Sequence, residues 1–360
     1  MTRQALHVLC ACTVIVSATL AEAVHAADKH IAQWPKVAPA PAPAALPVEP
    51  EYVPQWPIVA AAPALWLFSP FRLEAGARYW FSSSTMNFAF NNGDPLFGDP
   101  TSTLDWKGTT AHAGEAFARI DHKPTGLFVK GLVGGGGIAT NGEMIDRDFL
   151  FDQIKFSDTT SDVKQNSLFY ASGDIGMFYD IPEAGMRFGG FVGYQFWREK
   201  ATAYGVRCQP DDVQGQFCGP PATIVVPFTV PATIYEPTWH ALRIGVEGKM
   251  KISPHLSISG EIAGIPYATL SNKDSHLLRA DLGAVPNIIS TAKSGYGLQG
   301  ELFVNYALNK NWEVGAGLRY WGLVASPGTV QFGPDFGIDF ELTKFEQQRY
   351  GVLLQVKGKL

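Results

Sequence analysis

The chain has 360 residues, 46% of them hydrophobic and 12% aromatic, with a formal net charge of −5. A slight acidic excess offers no basic face to a polyanion, so no nucleic-acid partner is expected. After residue 26 there is no apolar run of about 18 residues, which excludes a membrane-spanning helix.

The first 26 residues combine a basic start at Arg3, an apolar stretch from Leu9 to Leu20 and the triplet Val24-His25-Ala26. That arrangement predicts a cleaved secretory signal over residues 1–26 and an exported chain, with Cys10 and Cys12 leaving alongside it. Proline and alanine dominate residues 27–69. They predict an extended, solvated periplasmic tether, in which Trp34, Trp56, Trp66 and Phe68 are scattered aromatics.

From residue 70 the hydrophobic period is two. Phe71, Leu73, Ala75, Ala77, Tyr79 and Phe81 share one face, while Arg72, Glu74 and Arg78 share the other. Similar alternation runs through residues 104–120, 127–133, 169–179, 188–196, 240–250, 256–264, 296–308 and 312–324. It ends at Tyr350, Val352, Leu354, Val356, Gly358 and Leu360, with Gln355, Lys357 and Lys359 in between. These ten segments predict an all-β fold, one antiparallel transmembrane β-barrel over residues 70–360. Only a closed barrel pairs every backbone donor and acceptor inside hydrocarbon, and an exported barrel belongs to an outer membrane. Short polar connections at 123–126, 182–185, 253–255 and 309–311 belong on the periplasmic side. The longer ones, near 85–101, 141–165, 203–236, 272–293 and 325–340, belong outside.

The inward charges Arg72, Glu74, Arg78, Lys130, Glu199, Arg243, Glu247, Glu261 and Glu301 are expected to fill a narrow interior, since ten strands leave little room for a pore. Tyr79, Trp80, Tyr320 and Trp321 lie near strand ends and are read as interfacial girdle residues. Gly134 to Gly137 lacks the following Gly-Lys-Ser/Thr of a phosphate loop, so it is read as close strand packing. Cys208 and Cys218 are the only cysteines after the signal and should form a disulfide in the third outer loop. Without histidines beside them no metal site is expected.

Two outer connections carry chemistry. Asp146 and Asp148 are two residues apart, so on extended backbone their carboxylates share a face. Asp274-Ser275-His276 repeats that spacing with a carboxylate and an imidazole, which lets the aspartate orient the ring and stabilise its cation. A neutral imidazole so held can deprotonate a water, and a facing acidic pair can hold that water and handle protons at a leaving group. The bland alternatives are a solvated acidic loop or a cation-binding pair.

At these residues the chain resembles the omptin family of outer-membrane proteases. The resemblance lies in Leu104-Asp105-Trp106-Lys107, in Gly134 to Gly137 leading to Met144-Ile145-Asp146-Arg147-Asp148-Phe149, in Gly193-Tyr194-Gln195 and in Asp274-Ser275-His276, in that order over residues 70–360. It implies a ten-stranded barrel, an endopeptidase without cofactor or metal, and a catalytic aspartate pair at Asp146 and Asp148 with an Asp-His dyad at Asp274 and His276. It also implies a monomer in outer-membrane lipid, a requirement for lipopolysaccharide, and a peptide or protein substrate at a rim facing outside. The chain departs from the pattern where Asn272 stands in place of an acidic substrate-pocket residue and where residues 82–89 hold no acid, which removes the expected preference for basic side chains. The rival reading is a non-enzymatic barrel, a small porin or adhesin.

Overall fold

The computed structural model describes residues 70–137, 142–151, 154–209, 218, 220–333 and 336–359. The expected signal, the tether and Leu360 lie outside these residues.

Period-two alternation produces twelve strand segments: β1 (Phe71–Asn91), β2 (Phe97–His122), β3 (Leu127–Gly137), β4 (Glu143–Leu150), β5 (Ile154–Ile181), β6 (Met186–Cys208), β7 (Ile224–Lys251), β8 (Leu256–His276), β9 (Ile288–Ala307), β10 (Trp312–Ala325), β11 (Gly328–Phe332) and β12 (Phe340–Lys359). They form one antiparallel sheet that closes on itself, because β1 pairs with both β2 and β12. β3 and β4 each lie between β2 and β5, and β11 continues β10 between β9 and β12. Twelve segments therefore make ten staves, as the alternation predicts. Pro327 separates β10 from β11, since proline has no N–H to give the ladder.

The four short connections fall at one end of the barrel, where β1 begins and β12 ends with Glu74 opposite Lys359. At the other end the structure corrects the expected long loops. Most of residues 85–101 is strand, with only residues 92–96 joining β1 to β2, and β5 and β7 each run for 28 residues. A stave of that length spans roughly 90 Å of contour at about 3.3 Å per residue, whereas about 10 residues cross hydrocarbon. The barrel wall thus continues well beyond its apolar belt.

That belt consists of outward residues such as Val129, Ile175, Ile244, Leu302 and Leu354, each about half exposed. Inside it the expected charges Arg78, Arg243 and Glu301 are joined by Glu115, Asp174 and Arg319. Arg319 meets Glu115 at 2.7 Å and Glu301 at 2.7 Å, Arg78 meets Glu115 at 2.9 Å, and Arg243 meets Asp174 at 3.2 Å. Pairing is obligatory here, because a single buried charge left alone costs several kcal/mol.

Above this network Trp80, Tyr170, Trp197 and Trp321 pack edge to face, with ring centroids 4.9 to 5.7 Å apart. The girdle expectation is corrected for two of its four residues. Tyr79 and Tyr320 are exposed outside, but Trp80 and Trp321 are buried inside, as they must be when neighbouring residues on a strand point to opposite faces. The Gly134 to Gly137 run serves this packing: a Cβ on Gly134 would lie 2.4 Å from the Tyr170 ring, and one on Gly136 would lie 1.9 Å from the His112 carbonyl oxygen.

Candidate active site

Beyond the belt the inward faces change character. Phe88, Trp106, Tyr235 and Phe345 are all buried and form a floor across the lumen. Trp106 lies 5.4 Å from Tyr235, and Tyr235 stacks on Phe345 at 5.9 Å. Carboxylates placed next to this floor sit in a dry, weakly polarisable setting.

Asp146 and Asp148 stand on β4, not on a loop. Met144, two residues earlier, belongs to the aromatic core, so the same alternation turns both carboxylates inward. Register on β2 sets Asp146 opposite Leu104 and Asp148 opposite Ser102, whose side chain hydrogen-bonds the Asp148 carboxylate. Arg147, between them, turns outward and ties β4 to its neighbours, reaching Asp105 at 2.9 Å and Asp158 at 3.5 Å.

Asp274 and His276 end β8, again on strand and not in a loop. Leu270 of the core sets the phase, so Asn272, Asp274 and His276 face inward in turn. His276 Nε2 is 3.1 Å from Asp274 Oδ2, which leaves Nδ1 as the ring nitrogen available to water or substrate. Asp274 is almost wholly buried beside Tyr235, its partner across β7.

The two pairs influence one another. Burial pushes the Asp146 carboxyl up to about 7, with Asp148 adding to the rise and His276 opposing it. Asp148 is also raised, chiefly by burial. Burial alone would lower His276, but the Asp274 carboxylate outweighs it and holds the imidazole at about 9. Burial, with Asp274 beside it, keeps the Tyr235 hydroxyl protonated. The rise at His276 is in the direction that the Asp274-Ser275-His276 spacing implies, a carboxylate that favours the cationic form of the ring.

Asn287 is a positioning residue that the sequence reading missed. Fully buried just before β9, its side-chain oxygen accepts the His276 backbone N–H at 2.9 Å, and its amide nitrogen donates to the His276 carbonyl at 3.1 Å. Its own backbone N–H donates to the Asp274 carbonyl at 3.1 Å. One asparagine thus fixes both members of the dyad by imitating a strand neighbour. The only hint in the sequence is a Pro286-Asn287 turn signal, which does not say what the amide holds.

Asn272 has no exposed surface, and its amide oxygen and nitrogen have no hydrogen-bond partner. The resemblance implies a substrate-pocket position for it, but it is shut in beneath the dyad and does not line an open pocket. Cys208 and Cys218 are joined in a disulfide, with Cys208 at the end of β6. Among the described residues no group of three or more potential metal ligands converges.

No protein-family model matches the chain, and no curated protein sequence does. Among solved structures it is similar to outer membrane protease OmpT from Escherichia coli, at 16% identity and a TM-score of 0.64, over 81% of this chain and 98% of that one. Neisserial surface protein A and the outer membrane protein OprG from Pseudomonas aeruginosa also align, at 10% and 9% identity over 81% of this chain and 98% and 95% of theirs, but with TM-scores of 0.24 and 0.30. Those two carry no argument. At such identity the first comparison shows the fold alone: the chain is an OmpT-like β-barrel of outer-membrane type.

Proposed function

We propose that the protein is an outer-membrane endopeptidase of omptin type, with Asp146, Asp148, Asp274 and His276 as its catalytic residues on a rim facing outside the cell. The observation that carries this reading is the convergence of the two pairs, close enough for the charge of His276 to act on Asp146 and that of Asp146 on His276. Pairs of titratable groups driven apart in this way are the usual mark of an acid and a base working together.

Between the two values the resting ionisation is an imidazolium at His276 and a carboxylate at Asp146. Moving the ring proton to Asp146 through a bridging water is uphill, since the carboxylate beside the ring holds that proton more tightly than Asp146 does. In that form neutral His276 accepts a proton as the water attacks the peptide carbonyl, and the Asp146 carboxylic acid protonates the departing amine. The products leave the enzyme in its resting form, so the proton count closes over one turnover. Asp274 orients the ring, and Asp148 restrains the water while keeping the Asp146 proton energetically accessible.

Asn272 and the aromatic floor supply no carboxylate for a basic substrate side chain, so selection of arginine or lysine is not part of the proposal. The rival reading, a non-enzymatic binding barrel, is favoured by the shut-in state of Asn272. A porin is disfavoured by the tryptophan and ion-pair filling of the lumen. Incubating the folded protein, reconstituted with lipopolysaccharide, with a diverse peptide library decides between them. Cleavage that vanishes in His276→Ala supports the endopeptidase, and an uncleaved library removes it.

A further inference from the structure

The end of the barrel with the short turns holds a cavity of about 620 Å³, within the range of small-ligand sites. It is blind: its inner end meets the Arg319–Glu115–Glu301 network, above which the tryptophan cluster fills the lumen. Its mouth lies among the 182–185 turn and the last residues of β7 and β12. A solute must therefore enter and leave the same way.

The charge of the lining is uneven. Ten basic side chains face six acidic ones. The carboxylates of Glu115 and Asp121, set in the wall, bring the count near balance: Glu115 pairs with Arg319 at the inner end, and Asp121 pairs with Arg72, Arg119 and Arg187 near the turns, so that arginines and carboxylates match almost one to one. The lysines at the mouth are not matched in this way. Lys249 reaches the buried Glu313 carboxylate at 3.4 Å, Lys357 reaches it at 3.2 Å, and Lys359 also pairs with it. Lys357 reaches Glu74 at 3.2 Å, and Lys251 lines the same opening. Four ammonium groups thus meet two carboxylates. Each ammonium has three N–H donors and a carboxylate about four acceptor sites, so donors exceed the acceptors offered to them, and the excess borders the cavity.

We propose that this chamber binds a compact, multivalent oxyanion of the phosphate class, held at its mouth by Lys249, Lys251, Lys357 and Lys359. An acceptor-only ligand with several oxygens matches the surplus in both charge and hydrogen bonding. Cations are repelled by the net charge of the opening, and an apolar solute would strip the ammonium groups of water without replacing it. The site is separate from the rim chemistry and does not depend on it.

Titration calorimetry on the full-length folded protein in non-ionic detergent tests this, with sodium pyrophosphate against sodium chloride at equal ionic strength. The expected result is saturable one-to-one binding of pyrophosphate and none with chloride. Lys249→Gln should weaken binding on the order of tenfold, and Glu313→Gln should strengthen it by a similar factor, since it removes the carboxylate that competes with the ligand. Lys344→Gln, the same charge change at the opposite rim, should leave the affinity unaltered. The proposal is overturned if the wild type takes up no pyrophosphate beyond the chloride control, if Glu313→Gln weakens binding, or if Lys344→Gln acts as strongly as Lys249→Gln.

Discussion

Two inward-facing regions of this barrel solve the problem of buried polarity in opposite ways. Within the apolar belt arginines and carboxylates interlock: Arg319 is fully buried yet touches Glu115 and Glu301, and Lys130 reaches Glu247 at 2.9 Å and Glu261 at 2.5 Å. At the rim the lumen is closed by aromatic rings, and a few ionisable groups are placed on them with too few counter-charges. The first arrangement gives each of these charges an opposite partner. The second leaves protons free to move at ordinary pH, which chemistry requires and a scaffold does not.

The comparison is tested most severely at His276. His276→Ala should cut peptide hydrolysis by about 100- to 10,000-fold while the heat-modifiable mobility of the folded barrel persists, because the ring belongs to the rim and not to the packing below. Asp146→Asn and Asp148→Asn should be similarly damaging to turnover. A folded His276→Ala variant that cleaves as well as wild type would remove the catalytic reading.

Arg319→Met should do the reverse. It leaves Glu115 and Glu301 to share Arg78 and should cost about 3 kcal/mol of stability in denaturant titration, whereas the fraction that stays folded keeps its rim activity. If stability is unaffected, the belt network is not the structural element described here.

The pH profile sharpens the contrast further. Asp146 gains its proton as pH falls through about 7, and His276 loses its proton as pH rises through about 9, so kcat/KM should form a bell with its maximum between them. Asp274→Asn removes the carboxylate that does most to raise the ring, so burial, which lowers it, is opposed only by Asp146. The alkaline limb of the residual activity should then move to lower pH.

The smallest effects should come from the periphery. Replacing Cys208 and Cys218 by serine opens a loop of separation 10, worth about 3 kcal/mol or less, and should not change hydrolysis; non-reducing mass spectrometry of the wild type should find no free thiol. Finally, peptides with arginine or lysine before the cut should show no strong advantage over neutral ones, because the residue beneath the dyad is Asn272 and no acid stands with it in residues 82–89.

Much of the fold was legible because a stave half in lipid and half in a charged lumen must alternate. That requirement alone located ten staves, four short turns and the inward charges from Arg72 to Glu301. It also contained the answer for Trp80 and Trp321, which follow outward neighbours and so must point inward; grouping them with Tyr79 and Tyr320 ignored the pleat. Beyond the belt the signal fades, since both faces of a strand such as residues 82–91 tolerate polar residues once lipid is gone. Strand there reads as loop.

The sequence by itself determined which side chains share a face, including Asp146 with Asp148 and Asp274 with His276, because a spacing of two fixes direction on any extended backbone. Only the tertiary structure decided that the two faces meet over one aromatic floor, that Asn287 holds the dyad from eleven residues away, and that Asp146 and His276 come close enough to act on one another. Those outcomes depend on the closure of the barrel, which brings β4 and β8 toward a common lumen, and on the burial that closure imposes on charge.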